Sequence, residues 1–90
     1  MLYPLMTLND DTEIVHSEMD SDGKVKVCIE TPDERLGFKS ATCWLPEYKW
    51  ENIKGYSEEE QKYFKNLVKS MAHLILEFAQ TGGFDSASSF

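Results

Sequence analysis

Arginine is almost missing from this chain of 90 residues: Arg35 stands alone beside eight lysines, against 16 acids and a formal net charge of −7. That balance disfavours a surface that tracks phosphates, which needs clustered bases on one face. Cysteine is scarce as well. Cys28 and Cys43 are too few and too isolated for a Cys-x-x-Cys zinc framework, and they read as reduced, partly buried thiols. No apolar run approaches the roughly 20 residues that a membrane span requires. The opening MLYPLMTLNDD lacks a basic region and a small-residue cleavage site, so it is not read as a signal peptide, and the expected location is cytoplasmic. Catalytic, metal-binding and nucleotide-binding motifs are also absent, and no cofactor is expected.

What is present suits a small folded unit. The composition is 41% hydrophobic and 12% aromatic, enough bulk to anchor a core. At this length only about 60% of the unfolded surface can be buried, so one modest core is expected. Residues 1–83 read as a single α+β domain and residues 84–90, short and polar, as a flexible tail.

Charge is unevenly spread. Residues 9–34 hold nine acids and only Lys24 and Lys26 as bases, while from Arg35 onward seven acids meet seven bases. The whole excess therefore lies on one third of the chain, a layout that bears on partners rather than on fold.

Residues 57–80 predict a long amphipathic helix. Ser57 and Glu60 form a capping box, Glu58 and Glu59 sit favourably at the positive end of the dipole, and Gly82-Gly83 supplies a stop. At about 100° per residue, an apolar arc running from Phe64 to Ala79 covers half the circumference, with Tyr63 at its margin. Docking on a sheet needs only about 100° of arc, so a second contact is expected from residues 46–56 or from another subunit.

Residues 13–19 and 24–30 alternate around Asp20-Ser21-Asp22-Gly23, predicting a hairpin closed by a three-residue loop with Gly23 in the left-handed position. That loop sets Met19 against Val25, Ser17 against Val27 and Val15 against Ile29 on the core face. His16 then faces Cys28 on the outer side. A turn at residues 31–34 and a third strand over residues 36–45 follow, with Phe38 and Trp44 favouring the set Leu36, Phe38, Ser40, Thr42 and Trp44 as inward. Residues 46–56 read as a loop packed by its own aromatics. The expected architecture is an antiparallel meander of three strands, or four if residues 1–8 add an edge strand, with the helix across one face. This outline is analogous in shape to small bacterial antitoxin and regulatory modules, an analogy that assigns no functional residue.

Candidate sites follow from this layout. The acidic hairpin, with Glu18, Asp20 and Asp22, suits a basic partner, although acids at a hairpin tip most often serve solubility alone. Trp50 and an isolated Leu76 are further candidate contacts. His16 and Cys28 supply two ligands where zinc wants three or four, and a Cys-His nucleophile would need a third orienting group. Lys62, Lys65 and Lys69 share an exposed helix side, which usually means a solvated face. The expected function is a non-enzymatic protein–protein interaction module, with a second copy of the chain or a basic protein as partner. Alternatives are an antitoxin-like or nucleic-acid-mimic regulator, a small metal-binding or enzymatic domain at His16 and Cys28, and weak nucleic-acid binding through the lysines.

Overall fold

The computed structural model describes residues 2–80. Five strands and one helix follow in chain order: β1 (Leu2–Thr7), β2 (Glu13–Ser17), β3 (Val25–Asp33), β4 (Gly37–Leu45), β5 (Lys49–Lys54) and α1 (Glu58–Gln80). The strands form one antiparallel sheet in sequential order, and the helix covers one of its faces. The fold is thus α+β, with five strands in place of the expected three or four. The edge strand from the first residues is present, and Pro4 is tolerated there because an edge leaves one side of the ladder unpaired. The extra strand is β5, which replaces the loop expected over residues 46–56. Its pairing with β4 shifts by one residue between Lys54 and Glu51, and Asn52 adopts a left-handed φ of 54° within that bulge. Asparagine is one of the few residues that tolerates such a backbone.

The helix has the expected N-terminal cap. The Glu60 amide donates to Ser57 Oγ at 3.1 Å, and Glu60 Oε1 accepts from the Ser57 amide at 3.0 Å. The glycine stop and the tail lie outside the described residues. Phe64, Val68, Ala72, Ile75 and Ala79 are buried along one stripe, while Leu67, Met71 and Leu76 pack at its margins. Leu76 is therefore part of the core edge rather than isolated. Five strands supply the width that three lacked: Leu5, Met6 and Leu8 reach one flank, Trp50 and Ile53 the core from the β5 side.

The β2–β3 hairpin has the expected loop and a different body. At the tip the Asp20 amide donates to the Lys24 carbonyl, the Gly23 amide donates to the Asp20 carbonyl, and Gly23 has φ 79°. Further down, Ile14 pairs with Ile29, Val15 with Cys28 and His16 with Val27, one residue out of the register that the tip alone would impose. An extra residue is taken up over residues 17–19. There the Lys26 amide donates to Ser17 Oγ at 2.9 Å, and the Met19 amide turns away to the Ala79 carbonyl of the helix. A one-residue slip moves every side chain to the other face. Ile14 and His16 consequently face the core, and Val15 faces away.

On β4 the inward set is also reversed. Ala41, Cys43 and Leu45 are buried, Trp44 lies on the open face, and Phe38 is 57% exposed. Small residues under the helix let it approach the sheet, and the Trp44 indole instead donates to Glu51 Oε1 at 2.8 Å. The expected turn at residues 31–34 lies later: β3 runs through Pro32 to Asp33, beyond the end of its ladder with β2 at Glu30. Pro32 therefore sits where β3 has only one partner and a missing donor costs little.

Candidate functional site

The fold brings two acidic segments that are far apart in sequence to one place. The loop between β1 and β2 closes like the Gly23 loop: the Asp11 amide donates to the Leu8 carbonyl, the Leu8 amide donates to the Thr12 carbonyl, and Asp11 takes the left-handed position with φ 65°. Asp10 Oδ1 caps this turn by accepting from the Thr12 amide at 3.2 Å. Beside it stands the first turn of α1 with Glu58, Glu59 and Glu60. Between the two lies a groove of about 520 Å³ lined by Thr7, Leu8, Asn9, Asp10, Glu59, Glu60, Tyr63 and Phe64. That volume falls within the range usual for ligand clefts.

The groove has an apolar floor and an acidic rim. Phe64 is buried and packs edge-on against Tyr56 at 4.9 Å and against Tyr63 at 5.4 Å. Tyr63 is 54% exposed, so a large amphipathic ring remains available at the mouth. Two of the rim carboxyls, Asp10 and Glu60, are held in the ionised form. The hydrogen bond from Thr12 holds the Asp10 carboxyl below its ordinary range, and the bond from the Ser57 amide, aided by Lys39, does the same for Glu60. Lys39 Nζ reaches Glu60 at 3.1 Å and partly offsets the rim.

Behind the floor runs a buried polar chain. Thr12 Oγ1 and Thr31 Oγ1 are 2.6 Å apart, Thr31 Oγ1 and the Tyr56 hydroxyl are 2.8 Å apart, and that hydroxyl donates to the Lys39 carbonyl at 3.3 Å. These bonds tie the end of the β1–β2 loop, β3 and β4 to the residue before the helix cap, and so fix the two walls of the groove relative to each other.

The residues singled out from sequence are dispersed. Glu18 is exposed and accepts from the Tyr3 hydroxyl at 2.8 Å. Asp20 shapes its own turn, its Oδ1 accepting from the amides of Asp22 and Lys24 at 2.9 Å each. Asp22 is exposed at the same tip, where Lys24 is bridged to Glu47 at 3.1 Å. Trp50, on β5, lines a shallow groove with Tyr48, Lys65, Asn66 and Lys69. His16 and Cys28 are on opposite faces of the sheet, so neither a shared metal nor a Cys-His pair can form from them. Among the described residues no group of three or more potential ligands converges on a metal position. His16 is fully buried, its Nδ1 2.9 Å from the Ser17 carbonyl and its Nε2 without a hydrogen-bond partner among the described residues.

Sequence reasoning missed the groove. Its signals were present as separate features, an acidic Asn9-Asp10-Asp11 turn and a Glu58-Glu59-Glu60 helix start, each with a local explanation. Among the described residues no helix is long and apolar enough to cross a membrane. No protein-family model, curated protein or solved structure matches the chain.

Proposed function

We propose that this chain is a non-enzymatic protein–protein interaction module that takes a basic segment of a partner into the groove between the β1–β2 loop and the start of α1. The observation that carries this reading is the combination of Asp10, Glu59 and Glu60 on the rim with Leu8, exposed Tyr63 and Phe64 beneath them. A lysine or arginine side chain has an aliphatic stem and a charged head, which suits an apolar floor with an acidic edge. The excess negative charge of the whole chain would draw such a partner in from a distance. The same chemistry would serve a regulator that neutralises a basic protein.

Calorimetric titration with a lysine- and arginine-rich peptide at low salt tests the assignment. Asp10→Asn combined with Glu59→Gln keeps the turn acceptor and removes two rim charges, and it is expected to weaken binding about tenfold or more. Tyr63→Ala is expected to weaken it through loss of the floor. A peptide that binds the variants as well as the original chain, or that fails to bind at all, would remove the support for this reading.

A further inference from the structure

The face of the sheet away from α1 has no covering element among the described residues. Its centre is formed by half-buried Val15 and Cys28 on β2 and β3 with Thr42, already buried, beside them on β4; Trp44 lies on one side and exposed Phe38 towards the other end. Cross-strand register puts Glu13, Glu30 and Glu51 on this face with Lys26, Lys49 and Lys54, while Asp11 lies beside Glu13 and Glu30 at one end and Glu18 and Asp20 lie beside Lys26 at the other.

Along β3 the arrangement is self-complementary. Lys26 and Glu30 lie two residues either side of Cys28, and all three share the open face. At about 3.3 Å per residue they stand about 13 Å apart, too far to pair with each other. Neither has a salt bridge among the described residues. Glu30 is instead set opposite Glu13 on β2, a like-charge pair that is unfavourable in isolation.

We infer that a second copy of this chain docks face to face on this surface, about a two-fold axis running along the Val15, Cys28, Thr42 row, with Lys26 of each copy against Glu30 of the other. Such an isologous contact satisfies both charges twice and relieves the repulsion from Glu13. Val15 and Cys28 pack against their own images at the centre, as in an aligned sheet sandwich. Sheet twist splays the outer strands, leaving Lys49, Glu51 and Lys54 at a solvated rim. This contact is separate from the acidic groove, which opens on the helix side.

Sedimentation equilibrium up to about 1 mM protein is expected to show a dimer whose apparent mass falls on dilution. Lys26→Glu or Glu30→Lys alone should weaken it at least about tenfold, and the two together should restore it, because the reversed pair is again complementary. Circular dichroism melts check that each variant is folded. On the unaltered chain, maleimide labelling of Cys28 is expected to slow at least several-fold as concentration rises and the dimer encloses the thiol. Cys43 is fully buried and does not compete. A strict monomer throughout that range, a dimer indifferent to single charge reversals, or a dimer in which Cys28 is labelled as fast as in dilute protein would overturn the inference. The readout needs no basic peptide, so its failure leaves the groove assignment standing, and the reverse holds too.

Discussion

The two faces of the sheet are built from the same strands but do different work. On the helix side Val25, Val27, Ile29, Cys43 and Leu45 are completely buried, and polar groups there are enclosed with them. On the other side Val15, Cys28 and Trp44 are only half-buried and charged residues flank them. Apolar content alone does not separate the two. What separates them is whether a second layer removes the side chains from water, since transfer free energy follows the area removed. The covered face therefore holds the fold together, while the open face retains surface that a partner can use.

Truncation on the two faces gives the sharpest test of this contrast. Ile29→Ala is expected to cost about 3 kcal/mol in urea unfolding, because it leaves a cavity in a packed layer. Val15→Ala, measured on dilute protein, should cost under about 1 kcal/mol, as partly solvated surface is lost without a cavity. Equal costs would mean that the open face is covered in solution even at low concentration.

The covered face also encloses polar groups, and its tolerance of them differs by site. Thr31→Val removes the central hydroxyl between Thr12 and Tyr56, and a loss of about 1–2 kcal/mol is expected as neighbouring hydroxyls lose a partner. His16→Leu replaces a buried ring whose Nε2 is unsatisfied among the described residues, and a gain of about 1 kcal/mol is expected in the same assay. A loss of stability there would show that the ring nitrogen finds a partner in solution.

The thiols report on the comparison without altering it. Burial pushes the Cys43 thiol up to about 11, and Cys28 is raised to a lesser degree by the same cause. Maleimide should label Cys28 in the native state at least about tenfold faster than Cys43, whose reaction should track global unfolding. Mass spectrometry after a short pulse distinguishes the two sites.

Much of the local structure was readable residue by residue. The Ser57 and Glu60 cap, the helix period and the Gly23 loop each depend on a few neighbours, and each is present as expected. The inward parity of Val25, Val27 and Ile29 also follows from alternation along one strand. The functional leads fared differently. Placing His16 beside Cys28 required carrying the tip register down the hairpin, and the extra residue over residues 17–19 broke that extrapolation. The groove required knowing that the β1–β2 loop ends beside the first turn of α1, which no local pattern encodes.

By itself the sequence determined where the helix starts, which of its sides is apolar, how the Gly23 turn closes and where acid is concentrated. Tertiary structure decided the face on which His16, Val15 and Trp44 lie, the recruitment of residues 49–54 as a fifth strand and the meeting of Asp10 with Glu59. The physical reason is that caps and turns are settled by hydrogen bonds between near neighbours. Register and sidedness are instead settled by which layer each strand must bury against, and a single inserted residue reverses them.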